Sequence, residues 1–241
     1  VIAQNQGLRN QVANADNDTT RINAAKQLFG AYVYSKADSA IFYATRIVEI
    51  SKGIDWAENI VLGNKYLGIA YSIKGDFEKA AEYMQSVLDI HRASNDSLNV
   101  AFSLNNLGTN YLYAGDYLKA AESLIESIQY KEALVATGSS ITDVDMSSTL
   151  QNIGIAYESQ SDMAQAKSYY LRAIDAGDQQ NAPLVAARAR SSLGSILLSE
   201  NRTEEALLYF RQIESVFAEA NDVFALSKTY NNMALTYSKL N

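Results

Sequence analysis

Side chains capable of acid–base or nucleophilic chemistry are few in this chain. It contains one histidine, His91, no cysteine, and one adjacent pair of carboxylates, Glu204 and Glu205. A histidine can activate a serine nucleophile, but the Gly-x-Ser-x-Gly turn that holds such a serine is absent, as are the glycine-rich phosphate-binding motifs. Metal sites built from histidine and cysteine need more ligands than these counts supply. We therefore expect a chain that is not an enzyme and holds no cofactor or metal.

His91 and the carboxylate pair both have simpler interpretations. His91 falls late in a predicted helix, where a lone histidine is usually solvated, so we expect an exposed side chain. Adjacent residues of a helix point in different directions, so Glu204 and Glu205 do not converge on one substrate atom. They are better explained as favourable negative charge in the first turn of a helix.

The composition indicates a helical protein and limits its partners. The chain has one proline in 241 residues and a net charge of −7. Proline breaks helix interiors, so its scarcity favours a helical fold. Nucleic acids and anionic membranes attract basic faces, and none is visible here. No stretch approaches the ~18 apolar residues of a membrane span. We expect no nucleic-acid partner and no membrane span within this chain.

A short pattern recurs along the chain and predicts a repeated helical unit. It consists of a small or apolar residue, glycine, two further residues and an aromatic or apolar one. Copies begin at Leu67, Leu107, Ile153, Leu193 and Met233, with a degraded copy at Leu28. The steps between copies are 39, 40, 46, 40 and 40 residues. The one longer step predicts a six-residue loop insertion around Gly138–Ser140.

Each unit also contains a second helical pattern. An alanine stands thirteen residues after the start of the first pattern, and a large residue usually follows four positions later. These pairs are Ala80 and Met84, Ala120 and Leu124, Ala166 and Tyr170, and Ala206 and Phe210. Positions four apart lie on one face of a helix. We expect the small residues to let paired helices approach closely and the large ones to fill the gap between pairs.

Turn residues separate these patterns at regular places. Glycine suits a left-handed helix end, and aspartate caps the next helix. Turns inside a pair are predicted at Gly75-Asp76, Gly115-Asp116, Ser161-Asp162 and Asn201–Thr203. Helix starts between pairs are predicted at Asn95-Asp96, Gly177-Asp178 and Asn221-Asp222. A heptad coiled coil has similar apolar spacing, but turns every ~20 residues would interrupt it.

These residues resemble the tetratricopeptide repeat, in which antiparallel helix pairs stack into a solenoid. The period of ~40 residues and the Leu104–Gly108 segment are similar to the long-helix variant found in kinesin light chains and bacterial regulatory arrays. The resemblance implies an all-α fold, a right-handed α-α superhelix. It would contain about 11 helices, arranged as five hairpins and a final single helix.

The repeat boundaries follow from the pattern. Residues 1–19 form an N-terminal segment and residues 20–241 a single solenoid. Repeats are expected at 20–53, 54–94, 95–137, 141–180 and 182–220, with a half repeat at 222–241. A half repeat leaves the apolar face around Met233 and Tyr237 open. We therefore expect that the natural chain continues or that copies self-associate through this face.

The resemblance also implies a binding surface, because the first helix of each pair lines the concave groove in this family. Carried over position by position, the groove residues are Lys65, Tyr66, Ile69, Phe102, Asn105, Asn106, Thr109, Tyr113, Gln151, Asn152, Ile155, Arg188, Ser195 and Asn232. Asparagine offers both a donor and an acceptor, so Asn106 and Asn152 can pair with a peptide backbone. Each of these side chains has the alternative of bonding or packing within the array. The expected partner is a protein or peptide segment.

Residues 18–23, Asp-Thr-Thr-Arg-Ile-Asn, resemble the opening of bacterial arrays that precede a sensor histidine kinase or another signalling output. The resemblance implies a sensory or docking module of a larger signal-transduction protein; a scaffold for complex assembly is the alternative. Residues 1–4 are similar to the remnant of a cleaved signal peptide. This favours an extracytoplasmic, periplasmic location, with membrane anchoring through a C-terminal part, and a cytoplasmic location is the alternative.

Overall fold

The computed structural model describes residues 2–140 and 145–240. These ranges contain twelve α-helices and no strand. The helices are α1 (Ile2–Asn14), α2 (Asp18–Tyr32), α3 (Ala37–Gly53), α4 (Ala57–Lys74), α5 (Phe77–Ala93), α6 (Ser97–Ala114), α7 (Tyr117–Ala136), α8 (Met146–Ser159), α9 (Met163–Gln179), α10 (Pro183–Ser199), α11 (Thr203–Glu219) and α12 (Val223–Leu240). The predicted all-α fold is confirmed, with one helix more than expected.

The additional helix is α1, in the segment to which the sequence pattern assigned no repeat. It packs against α2. Val12 is buried, and its carbonyl accepts from Arg21 Nε at 3.2 Å. Arg9 Nη2 donates to Tyr32 Oη at 2.7 Å, which lowers the pKa of that phenol. These contacts are specific to α1 and do not recur in the other repeats. The repeat pattern therefore could not predict this helix.

The chain forms two compact units, residues 1–116 with α1–α6 and residues 117–241 with α7–α12. Within each unit, helices adjacent in sequence pack against one another. In the second unit, α10 also contacts α8 and α12, so successive first helices lie side by side. This nearest-neighbour packing is typical of a helical solenoid. None of the described helices is both long and apolar enough to cross a membrane.

Glycines set the distance between the two helices of a pair. A Cβ on Gly154 of α8 would lie 2.5 Å from Tyr170 Cε1 of α9, and one on Gly194 of α10 would lie 2.7 Å from Phe210 Cε1 of α11. The prediction that small residues allow close approach is confirmed. The rings of these two large residues lie against the glycine of their own pair. Tyr170 also makes a side-chain hydrogen bond to Ser192 of α10, so it contacts the next pair as well, as expected. A flat ring can approach a backbone that carries no side chain.

The turns follow the predicted chemistry with two exceptions. Gly75, Gly115, Ser161 and Asn201 all have positive φ. In the turn at Asn201–Thr203, threonine was predicted to take the capping role of aspartate. Helix α11 instead begins at Thr203, and its cap residue is Arg202, whose side chain makes no capping hydrogen bond.

The predicted helix start at Gly177-Asp178 is also wrong. Helix α9 runs through both residues to Gln179, and the turn lies at Asn181, which has a φ of 52°. Gly177 instead serves packing, since a Cβ there would lie 3.0 Å from Ala186 Cβ of α10. Pro183 then opens α10 at its first position, where a missing N–H costs nothing.

Aspartate caps provide a direct test of the turn assignment. Asp162 accepts a hydrogen bond from Gln165 N at 3.0 Å at the start of α9. We expect Asp162→Ala to destabilise the protein by about 1 kcal/mol, because a first-turn N–H loses its acceptor. Thermal unfolding followed by circular dichroism measures the change. Asp162→Asn, which keeps the acceptor oxygen, should lose much less; an equal loss would contradict the capping role.

The inserted residues change the lengths of both neighbouring helices. Helix α7 has 20 residues and α8 has 14, against 17 or 18 in the other repeat helices from α3 to α12. Gly138 lies in the connection with a φ of 106°, as expected for the insertion; residues 141–144, where the fourth repeat was predicted to begin, lie outside the described residues. At the far end of the connection, Asp145 caps α8 with a φ of 42°.

A buried lysine holds this capping residue. Lys131 of α7 is fully buried, and its Nζ donates to Asp145 O at 2.8 Å and to Thr149 Oγ1 at 2.6 Å. Burial disfavours the charged ammonium and lowers its pKa to about 8. The lysine therefore fixes the start of α8 at an electrostatic cost.

Candidate binding groove

The first unit contains a small cavity between α4, α5 and α6. Its volume is about 40 Å³, room for about three water molecules or the end of one side chain. Ile69, Met84, Val87 and Phe102 supply apolar walls. The polar lining residues are Lys65, His91, Asn99, Ser103 and Asn106. We call this the first cavity.

A wider and more open cavity adjoins the first. Its volume is about 240 Å³, and its lining consists of Tyr34, Ile69, Ser72, Ile73, Met84, Asn106, Thr109, Asn110 and Tyr113. Tyr34 and Tyr113 are strongly exposed, with 87% and 70% of their surface accessible. We call this the second cavity. The two cavities share Ile69, Met84 and Asn106, so they form one continuous groove within the first unit.

Six of the eight groove residues expected in this unit line these cavities: Lys65, Ile69, Phe102, Asn106, Thr109 and Tyr113. Two do not. The ring of Tyr66 stacks on Phe29, with ring centroids 4.0 Å apart, and Asn105 lies on neither cavity wall. The Asn105 carbonyl accepts from Thr109 Oγ1 at 2.8 Å. Helix α6 thus supplies the groove mainly through Phe102, Asn106, Thr109 and Tyr113.

The prediction for His91 was wrong. Its ring is half-buried in the wall of the first cavity, with Nδ1 2.8 Å from Ser103 Oγ of α6. The sequence pattern placed His91 on the second helix of a pair, whereas the groove was expected to be lined by the first helices. Helix α5 in fact closes the floor between α4 and α6, so Met84, Val87 and His91 reach the cavity as well.

The groove carries a charge opposite to that of the whole chain. Neither cavity is lined by an aspartate or glutamate, whereas the chain has a net charge of −7. Lys65 is exposed and forms no ion pair with the described side chains. The nearby Asp96 is engaged as the cap of α6, where hydrogen bonds from Asn99 lower its pKa. The first cavity therefore presents one available positive charge.

The second unit has a separate, more polar cavity of about 300 Å³. Of the expected residues, Gln151 and Arg188 line it, together with Ser191, Ser192, Phe217, Asp222, Phe224, Ala225 and Lys228. Arg188 is paired with Asp222 at 3.2 Å, so its charge is partly neutralised.

The other expected residues of the second unit lie outside this cavity. Asn232 Nδ2 of α12 donates to Ser195 Oγ of α10 at 3.2 Å, so these two bond within the array. Asn152 and Ile155 are half-buried on α8 and line none of the described cavities. The predicted groove residues thus converge in the first unit and are largely engaged internally in the second. No described group of three histidine or acidic side chains is arranged to hold a metal ion.

Solved structures share this fold at low sequence identity. The apo form of RapI matches at 16% identity, with 99% of this chain and 91% of that chain covered and a TM-score of 0.66. BtubC (BKLC) from P. vanneervenii matches at 19% identity, with 86% and 85% covered and a TM-score of 0.69. A Rap protein complexed with competence and sporulation factor matches at 13% identity, with 94% and 66% covered and a TM-score of 0.63. At these identities the matches establish the fold.

Sequence comparison identifies the repeat itself. No curated protein matches this sequence, but two family models described as tetratricopeptide repeat match residues 60–133 and 152–222. Such repeats are generally non-catalytic scaffolds for protein interaction. Because the two matches together cover more than half of its residues, the chain belongs to the tetratricopeptide repeat family.

Proposed function

We propose that the chain is a non-catalytic module that binds an extended segment of a partner protein in the groove of its first unit. The observation that carries this proposal is the convergence of Lys65, Ile69, Phe102, Asn106 and Tyr113 on two adjoining cavities. A groove with apolar walls and a few placed polar groups is the usual form of a ligand site.

The chemistry of the groove suits a peptide backbone. Asn106 lies on the wall shared by both cavities, is half-buried and makes no side-chain hydrogen bond to the described residues. Its amide can donate to a peptide carbonyl and accept from a peptide N–H. Phe102 and Tyr113, four residues before and seven residues after Asn106, offer apolar contact on either side. Support also comes from the Rap protein that was solved complexed with competence and sporulation factor, since it shares this fold.

A peptide selection tests the proposal. Random twelve-residue peptides displayed on phage are selected on the purified chain, and a synthetic, fluorescently labelled binder is then titrated by anisotropy. We expect Phe102→Ala, Asn106→Ala and Tyr113→Ala together to weaken binding about 100-fold, because central aromatic and hydrogen-bonding contacts dominate such interfaces.

A matched control removes side chains away from the groove. Phe42 is 56% exposed on α3 and Asn10 is exposed on α1. Phe42→Ala with Asn10→Ala should leave the affinity unchanged. Binding that survives the groove substitutions, or a selection that yields no binder, would overturn the groove as the site.

We further infer that the module is the sensory or docking part of a larger bacterial signalling protein, with a sensor histidine kinase as the predicted context. The resemblance of residues 18–23 motivates this context. Sequencing the parent gene beyond residue 241 tests it. A kinase, cyclase or DNA-binding domain there would support sensing, whereas further repeats alone would contradict it and favour a scaffold.

The extracytoplasmic location is likewise our proposal. It rests on the character of residues 1–4 and is compatible with the absence of cysteine. A reporter enzyme active only outside the cytoplasm, fused to the product of the full gene, should be active. An inactive reporter with normal expression would place the module in the cytoplasm.

A further inference from the structure

The two cavities of the first unit differ in chemistry, and the residues of α4 show their order along the groove. On α4, Lys65 lies at the first cavity, Ile69 at the shared wall and Ile73 at the second cavity. Positions four apart lie on one helix face, so these residues form a single row. Eight residues of helix span about 12 Å. A positive charge and an apolar rim therefore lie about 12 Å apart along the groove.

The first cavity favours an anionic neighbour. Lys65 has no ion-pair partner among the described side chains, and no carboxylate lines either cavity. In a chain with a net charge of −7, this region is favourable for a negative group. The small volume of the cavity, about 40 Å³, admits the end of one short side chain beside that charge.

The second cavity favours an apolar side chain. Tyr34 and Tyr113 are among the most exposed aromatic residues described, and Ile73 beside them is 42% exposed. No charged residue lines this cavity. Burying apolar surface against these three side chains is favourable. The cavity volume, about 240 Å³, has room for a large or aromatic side chain.

We propose that the docking segment of the partner carries an aspartate or glutamate over the first cavity and a large apolar residue four positions away over the second. In an extended chain, side chains alternate between faces and each residue advances about 3.3 Å. Residues four apart therefore share a face and lie about 13 Å apart, close to the 12 Å between Lys65 and Ile73. The residue midway faces Asn106 on the shared wall. This inference rests on the proposed function and specifies the partner class for that site.

The selected phage peptides provide the test, synthesised with amidated C-termini so that a terminal carboxylate cannot substitute for the acidic side chain. Enriched sequences should share an acidic residue and a large apolar residue four apart. Changing that acid to its amide should weaken binding about fivefold in the wild type and less than twofold in Lys65→Met. Lys52→Met, which removes an exposed lysine of α3, should keep the fivefold loss. One alanine inserted between the two residues should cost about tenfold, because it turns one side chain away from the groove.

The outcomes separate the two proposals. Peptides that bind in the groove without an acidic preference, or whose acid-to-amide loss is the same in Lys65→Met, would overturn this inference while leaving the groove as the site. Insensitivity to the alanine insertion would also overturn it. A selection without any binder would overturn both. If the acidic preference appeared only in control peptides synthesised with a free C-terminus, the positive charge would serve chain ends and the inference would be overturned.

Discussion

Replacing Gly154 with alanine is expected to destabilise the protein by about 2 kcal/mol, although alanine is the better helix former. A Cβ at this position would lie 2.5 Å from Tyr170 Cε1 and 2.6 Å from Cδ1. Tyr170 cannot move aside, because it is fully buried and its hydroxyl donates to Glu158 Oε2 at 2.5 Å. Either the ring or the α8–α9 spacing must shift. Thermal unfolding monitored by circular dichroism measures the loss, which should appear as a fall in Tm of about 4–8 °C.

Gly30 provides the matched control within the same chain. It also lies in a helix, α2, but an added Cβ would have no atom within 4 Å. Gly30→Ala should therefore stabilise the protein by about 0.5 kcal/mol through helix propensity alone. The two substitutions are chemically identical and are expected to have opposite signs. If Gly154→Ala proved neutral or stabilising, the close approach of α8 and α9 would not be the reason for glycine at this position.

The repeat architecture could be predicted because its determinants are local and recur. A glycine or asparagine with positive φ, followed by an aspartate cap, marks a helix boundary whatever surrounds it. Gly75-Asp76 and Asn95-Asp96 behave in this way. Gly177 was misassigned because glycine has two uses, a left-handed turn and close helix packing. The residue type alone does not tell which use applies.

The candidate site was predictable only where one helix determines it. Phe102, Asn106 and Tyr113 lie on one helix, and helical spacing brings them to one side. His91 was predicted to be exposed, which is wrong. The exposure of its side chain depends on how α5 packs between α4 and α6, and spacing along α5 does not determine that packing. Tyr66 was expected in the groove, but its ring stacks on Phe29 of the degraded first repeat. Such pairings depend on contacts between elements, which spacing within one element does not encode.

The two units also show why a family pattern does not by itself define a binding site. The same repeat positions hold Asn106 in the first unit and Asn232 in the second. Asn106 faces a cavity without a partner among the described side chains, whereas Asn232 bonds to Ser195. A polar side chain that already has a partner gains little from a ligand, because one hydrogen bond is exchanged for another. This difference is the reason for placing the proposed site in the first unit.

Lys131 leads to the second large expected effect, a dependence of stability on pH. Its pKa falls from the usual 10.5 to about 8 because the ammonium is buried. Below pH 8 the lysine is protonated in both folded and unfolded states. The buried ammonium then lowers the free energy of unfolding by about 3 kcal/mol. Between pH 8 and 10.5 the unfolded state binds more protons, so stability rises with pH. Above both values the cost is absent.

Lys131→Met isolates this contribution, because methionine keeps much of the apolar stem and cannot titrate. Between pH 7 and pH 9.5 the wild type should gain about 2 kcal/mol of unfolding free energy relative to the variant. Urea unfolding at the two pH values measures both proteins, and the subtraction removes the titration of all other groups. Lys52→Met, at an exposed position of α3, should run parallel to the wild type. A Lys131→Met curve that also ran parallel would show that the ammonium is not desolvated. Asp145 at the start of α8 would then be held by hydrogen bonds that carry no electrostatic cost.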